Sequence, residues 1–183
     1  MRRILYFVLA AVMSISLAAC SGKENPENTA AVTKGEPLTA DKLITAEDVR
    51  ELVSYEPTAT AENTHSKSTV RYDSNPIGQD PVIAELYSAN AQKSVAAVYE
   101  DFKARKDKRP KAVDVADFGI DAYIAYPSIN LYRDGYMVVI TAGSGADDAQ
   151  AELLKKAAGI AAAHLDEYLK VNPTDSNLLE EQK

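Results

Sequence analysis

The sequence predicts an α+β fold, in which a mainly antiparallel, twisted sheet carries three helices packed mostly on one of its faces. Its apolar patterns follow the order helix, two strands, helix, three or four strands, helix, which differs from the strict alternation of parallel α/β folds. Asp134 and Gly135 separate two alternating apolar runs, which is typical of a tight antiparallel hairpin. An alanine-rich segment over residues 146–170 repeats its apolar positions at helical spacing and predicts a long C-terminal helix.

The N-terminal part of the domain is predicted to contain two helices and two strands. The first helix is expected to start at Thr45, because the Thr45 hydroxyl can cap it and the Asp48 carboxylate can reach back to its first turn. A polar connection is expected over residues 58–67. The following elements are predicted as strands over 69–73 and 82–89 and a helix over 92–106 that ends before Pro110.

The rest of the sheet is predicted from short extended runs. They cover residues 122–126, 128–133 and 136–141, with Pro127 at a kink or a sheet edge, while residues 113–117 form either a short strand or an extended link. If Asp134 and Gly135 form a two-residue turn, the register of the hairpin follows, and a slip of one residue would exchange its two faces. The expected core pairs are Ile129 with Ile140 and Leu131 with Val138. The opposite face is expected to place Tyr132 beside Met137 and Asn130 beside Val139.

The N-terminal segment combines Arg2 and Arg3 with an apolar run over residues 4–17 and with Cys20, the only cysteine of the chain. The apolar run is short for a membrane span, and two alanines precede the cysteine. These residues resemble a bacterial lipoprotein signal peptide that ends in a lipobox. An uncleaved membrane anchor with an incidental cysteine is the alternative interpretation.

The resemblance implies that residues 1–19 are removed and that Cys20 carries a diacylglycerol thioether, usually with an acyl group on the new N-terminus. Two or three acyl chains would anchor the protein stably outside the cytoplasm, on the cell membrane or the outer membrane. The remaining parts are expected to be a lipidated flexible tether over 20–42, a single α+β domain over 43–171 and a disordered tail over 172–183.

Charge argues against nucleic-acid binding. The formal net charge of the full chain is −7, and removal of the two N-terminal arginines makes it more negative. The densest basic stretch, over residues 103–109, is interrupted by Asp107. We interpret this stretch as the solvated end of a helix in preference to a binding patch.

The residue types also limit the chemistry of the domain. Once Cys20 is acylated, no thiol remains for a disulfide, a zinc finger or a nucleophile. The two histidines, His65 and His164, have no second histidine or cysteine at ligand spacing, so no metal and no other cofactor is expected. Ser-His-Asp catalysis is not expected either, because no Gly-x-Ser-x-Gly motif occurs.

A second resemblance covers most of the mature domain. The segment over 118–123, Phe-Gly-Ile-Asp-Ala-Tyr, precedes the hairpin and the C-terminal helix, and Leu-Ile-Thr-Ala-Glu-Asp over 43–48 opens the first helix. In this order the segments resemble the small secreted sensor-type lipoprotein domains related to the extracellular domain of the PknH kinase. The resemblance implies the order of the fold and carries over no catalytic residue. Many members of that group carry disulfides, which this chain cannot form.

The aromatic composition suggests a binding surface. The chain has ten tyrosines, three phenylalanines and no tryptophan, and tyrosine suits surfaces that are partly apolar and partly wet. If the helices leave one sheet face open, Tyr132, Met137 and Val139 would form an exposed patch for a peptide, a glycan or another protein. The expected function is therefore a non-enzymatic ligand-binding or sensing lipoprotein. A helix or the stretch after Tyr55 that covers this face would remove the patch.

Two other functions remain open at this point. A hydrolase acting on envelope material could use Asp114, Asp117 and Asp121, since two carboxylates about 5 to 10 Å apart can support acid–base catalysis. The distinguishing feature would be two of them in one concave pocket, with one pKa raised by burial. A structural partner in a surface complex is the third hypothesis.

Overall fold

The computed structural model describes residues 34–76, 78–88, 93–109, 111–116 and 121–173. Several sequence predictions lie outside these residues, namely the signal peptide over 1–19, Cys20, most of the tether, Asp117 and the tail from residue 174.

A seven-stranded antiparallel sheet forms the centre of the described domain. Its strands are β1 (Glu56–Asn63), β2 (Lys67–Asn75), β3 (Val82–Tyr87), β4 (Val113–Val115), β5 (Asp121–Ala125), β6 (Ser128–Arg133) and β7 (Tyr136–Ala142). They are ordered β1-β2-β3-β7-β6-β5-β4 across the sheet, so the two central hairpins meet where β3 pairs with β7. The predicted α+β class is confirmed.

Helices lie on both faces of this sheet. They are α1 (Ala40–Leu43), α2 (Ala46–Leu52), α3 (Val95–Lys103) and α4 (Asp148–Val171), and a 3₁₀ turn over Lys106–Lys108 follows α3. The first, second and fourth helices pack into one large core, whereas α3 packs into a separate small cluster on the opposite face. The predicted arrangement, with helices mostly on one face, therefore describes all of them except α3.

The large core fills the space between α4 and the sheet. Alternate residues of the central strands point into it, including Ala84 of β3, Leu131 of β6 and Val138 of β7. The long helix contributes mainly small residues, so its backbone lies close to the sheet. These residues are Leu154, Ala157, Ala158, Ala161 and Leu165.

The hairpin between β6 and β7 has the predicted register. Leu131 pairs with Val138 and Tyr132 pairs with Met137, and the same alignment extends along both strands. Asp134 and Gly135 form the turn with φ values of 48° and 83°, the left-handed conformation that a tight hairpin requires.

The helix ends are capped as the sequence indicates. Thr45 and Asp48 form a reciprocal capping box at the start of α2. His164 of α4 places its Nδ1 atom 3.1 Å from the Leu43 carbonyl oxygen and 3.7 Å from Asp48 Oδ2. This predicted boundary histidine thus connects α4 to the corner between α1 and α2.

Two boundary predictions are wrong. The stretch over 58–67 was expected to be a polar connection, but most of it belongs to β1, whose side chains are exposed apart from Pro57. Pairing with β2 along the whole strand supplies the backbone hydrogen bonds, so β1 needs no apolar pattern. The tether was expected to extend to residue 42, but Ala40 of α1 is completely buried in the core. The folded domain therefore begins before Leu43.

Substitution of Gly135 by valine tests the hairpin turn. Because Gly135 has a φ of 83°, a β-branched residue would be strained there, and we expect Gly135→Val to lower the free energy of unfolding by about 1 to 3 kcal/mol. Urea denaturation of both proteins measures this difference. Asp134→Asn is the control and should change stability little, because asparagine tolerates the left-handed region. Equal stability of Gly135→Val and the wild type would contradict the turn assignment.

Candidate functional site

The exposed patch predicted at Tyr132, Met137 and Val139 does not exist. Met137 is 0% exposed and Val139 is 6% exposed, because α3 lies across this face of the sheet. Tyr132 is half-buried, and its ring stacks on that of Tyr99 with the ring centroids 5.2 Å apart. The predicted register of the hairpin is correct, and the predicted exposure is wrong because α3 covers these residues.

The apolar side of α3 covers this second face. Val95 and Tyr99 are buried, and Phe102 meets the ring of Tyr87 edge-on at 5.6 Å. The Ser94 hydroxyl accepts a hydrogen bond from the Ala97 amide and fixes the start of the helix. The periodicity of these residues predicted a helix correctly but did not indicate which face of the sheet it would cover.

A cavity of about 260 Å³ remains where α3 ends and the chain turns into the 3₁₀ segment. Its volume is far above the requirement of a single water molecule. The apolar lining residues are Phe102, Ala125 and Val139. The polar lining residues are Glu85, Tyr123, Ser128, Asn130 and Thr141. The basic lining residues are Arg105, Lys106 and Arg109.

Asn130 is the most unusual residue of the lining. It lies in β6 and pairs with Tyr123 of β5 and Val139 of β7, so both neighbouring strands enclose it, and it is 4% exposed. Within the described residues, its side-chain amide has no hydrogen-bond partner. The amide atoms are not enclosed by protein, because they face the open space of the cavity. This amide is therefore available to a molecule that enters the cavity.

The neighbouring hydroxyl groups of Ser128 and Thr141 differ from this amide. Their oxygen atoms lie 2.8 Å apart and form a hydrogen bond with each other. They satisfy each other without a ligand, although each retains capacity for a further hydrogen bond.

Tyr123 is the second buried polar residue of the lining. It is 1% exposed, and its hydroxyl has no hydrogen-bond partner within the described part of the chain. Burial raises the pKa of Tyr123 to about 12, while the positive charge of Arg109 acts in the opposite direction. The hydroxyl is therefore protonated at neutral pH and can donate a hydrogen bond, and the Arg109 guanidinium lies close enough to influence it.

The basic residues at the end of α3 divide into two groups. Lys103 binds Asp121 at 2.6 Å and Lys106 binds Asp114 at 2.6 Å. Arg105 and Arg109 are exposed, line the cavity mouth, and have no carboxylate partner among the described side chains.

Glu85, the one carboxylate among the described lining residues, already has two partners. Lys67 Nζ lies 2.5 Å from one of its oxygens, and the Tyr87 hydroxyl lies 3.1 Å from the other. The lysine compensates the negative charge of Glu85 on the side of β2, away from the 3₁₀ segment.

The carboxylates proposed for a hydrolase do not come together in this cavity. Asp114 and Asp121 lie on neighbouring strands but outside the lining, and each is bound to a lysine. The Lys106 ammonium lowers the pKa of Asp114, which is the opposite of the shift expected for a general acid. The third residue, Asp117, lies outside the described residues.

The histidines and acidic residues give no metal site in the described ranges. No group of three or more metal-binding side chains occurs there. His65 is exposed next to β2, and His164 lies beside α2, far from each other in the sequence and on different elements.

Sequence reasoning missed the cavity residues because it treated the basic stretch and the hairpin separately. From the sequence alone, residues 103–109 are interpreted as a solvated helix end, and Asn130 is placed beside Val139 without a binding role. A polar residue in the middle of an otherwise apolar strand was the available signal, since such a residue needs a partner on whichever face it points to.

Comparisons with protein-family models, with curated proteins and with solved structures find no match to this chain. Among the residues that the structure describes, no helix has the length and apolar character needed to cross a membrane.

The ion pair between Lys106 and Asp114 makes a pH-dependent prediction. Because Lys106 lowers the pKa of Asp114, the pair stabilises the fold above the unfolded-state pKa of the carboxyl, and this contribution is lost as the pH falls through the folded-state pKa. In Lys106→Gln we expect the Asp114 pKa to return towards its ordinary value. An NMR titration of the carboxyl carbon measures it, with Lys108→Gln as the control. An unchanged Asp114 pKa in Lys106→Gln would contradict the pairing.

Proposed function

We propose that this protein is a lipid-anchored, extracytoplasmic domain that binds a small envelope ligand in the cavity beside α3 and does not alter it chemically. The observation that carries this proposal is the Asn130 amide, which belongs to a residue that is 4% exposed, lines the cavity and has no hydrogen-bond partner within the described residues. A ligand would supply the missing hydrogen bond.

The shape of the site also supports binding. Apolar side chains from α3 and the sheet surround a few polar groups, which is the usual composition of a small-molecule site. Because strands hold Tyr123, Asn130 and Thr141, their positions are fixed before a ligand arrives. The non-enzymatic character of the proposal is supported by Glu85, the one carboxylate among the described lining residues, which is bound by a lysine and a tyrosine.

The proposed location depends on the N-terminal sequence. The charge, the short apolar run and Cys20 occur in the order of a lipoprotein signal peptide. Acylation would place the domain at the cell membrane or the outer membrane, with the segment before α1 as its connection to the lipid.

Substitution of Cys20 tests the anchor. We expect Cys20→Ser to abolish incorporation of a fatty-acid probe and to leave unprocessed precursor, because serine provides no thiol for the thioether. Metabolic labelling and the electrophoretic mobility of the protein measure both effects. Continued labelling of Cys20→Ser at the wild-type level would rule out lipidation at this residue.

A cavity-filling substitution tests the binding site. Ala125 is 6% exposed and lines the cavity, so Ala125→Phe should fill it and weaken ligand binding by about tenfold or more through overpacking against the ligand. A thermal-shift screen of sugars, sugar acids, amino acids and short peptides first identifies ligands. Isothermal titration calorimetry then measures the affinity of each hit for the lipidated protein in detergent.

The matched control for this test is Ala59→Phe, which places the same side chain on the exposed strand β1. It should bind each hit as the wild type does. Ligands that bind Ala125→Phe with wild-type affinity would place the site elsewhere. A screen without any hit would contradict small-molecule binding and favour a structural role in a surface complex.

A further inference from the structure

The net charge of the residues around the cavity is opposite in sign to the net charge of the whole protein. The full chain has a formal net charge of −7, yet three basic residues line one side of this cavity. Lys106 is neutralised by Asp114, and the described side chains offer no carboxylate to Arg105 or Arg109. Two guanidinium groups at the mouth of a cavity concentrate positive potential there, because the apolar walls focus the field.

The polar groups deeper in the cavity include two donors. Tyr123 and Asn130 are 1% and 4% exposed as residues, and neither the hydroxyl nor the amide has a hydrogen-bond partner among the described residues. An amide nitrogen and a protonated phenol can each donate a hydrogen bond. Guanidinium groups at the mouth and neutral donors behind them match the acceptor oxygens of an oxyanion.

From this arrangement we infer that the cavity recognises a carboxylate or phosphate group carried by a small envelope molecule, with Arg105 and Arg109 as its charge partners and Asn130 as a neutral hydrogen-bond donor. The inference rests on the proposed function, since it assigns the chemical class of the ligand to the same cavity. It also gives the basic stretch a role beyond solubility.

Glu85 limits where the anionic group of a ligand can lie in the cavity. A free carboxylate in the lining would repel an anion, but Lys67 and Tyr87 bind both oxygens of Glu85 from the side opposite to the 3₁₀ segment. The anionic group of the ligand therefore lies towards Arg105 and Arg109, and the remainder of the ligand lies towards Glu85 and Thr141.

Titration with three matched sugars tests the inference. Glucose 1-phosphate, glucuronate and glucose share one ring type and differ in the charged group. At low ionic strength, we expect one or both anions to bind the lipidated protein in detergent about tenfold or more tightly than glucose. The reason is that hydrogen bonds to a charged group are stronger than hydrogen bonds between neutral groups. Added salt should weaken only the binding of the anions. A phosphate preference or a carboxylate preference then identifies the group.

Variants assign the binding to these residues. Arg105→Gln and Arg109→Gln together should reduce the affinity for the preferred anion about tenfold or more and abolish its preference over glucose. Lys108→Gln is the matched control, because it removes one charge from the same exposed turn but does not line the cavity. Asn130→Asp should also weaken anion binding by about tenfold, since it replaces a donor by a negative charge at the same volume.

The possible results separate this inference from the proposed function. Equal binding of all three sugars, lost in Ala125→Phe, would overturn anion recognition while leaving the cavity as the binding site. Anion binding that the double arginine variant retains, or that Lys108→Gln loses equally, would overturn the role of the two arginines. Failure of both anions to bind a protein that binds a neutral hit in this cavity would overturn the inference as well.

Discussion

The central constraint on this structure is that the nine-residue helix α3 lies on the second face of a seven-stranded sheet. At a rise of 1.5 Å per residue the helix is about 14 Å long. Seven strands at their usual spacing span about 29 Å, so α3 shields only the middle strands. The edge strand β1 accordingly carries exposed, mostly polar side chains, and a cavity is left where α3 ends. On the first face, the 24-residue helix α4 packs together with α1 and α2.

Much of the fold could be predicted from local sequence. The Asp134-Gly135 turn determined the register of β6 and β7, and Thr45 and Asp48 marked the start of α2, because both signals depend on a few neighbouring residues. Strand β1 could not be predicted, since its stability comes from backbone pairing with β2 and its exposed side chains show no apolar alternation. The face covered by α3 could not be predicted either. Periodicity indicates which side of a helix is buried, and it does not indicate the surface that buries it.

The candidate site could be predicted even less well, because it joins distant parts of the chain. Asn130 belongs to the hairpin, and Arg109 follows α3 in the chain. Both residues line the same cavity because α3 packs on the sheet. The sequence prediction placed a binding surface on the face of the sheet that contains the cavity, but it made Met137 and Val139 exposed contacts, whereas both are buried. In the structure these two residues anchor α3, and the polar residues next to them line the cavity. The same helix that removes the predicted patch therefore forms one wall of the cavity.

The central claim is that the Asn130 side-chain amide is free to bind a ligand. The chemical shift of its amide protons tests this claim most directly. The protons on Nδ2 can be followed by NMR while glucose 1-phosphate is added to the isotopically labelled protein in detergent. Gln150 is the internal reference, because its buried amide already donates to the Ala142 carbonyl. Our account predicts a saturable downfield shift of the Asn130 amide protons and no change at Gln150. Unchanged Asn130 protons at concentrations that saturate calorimetric binding would contradict it.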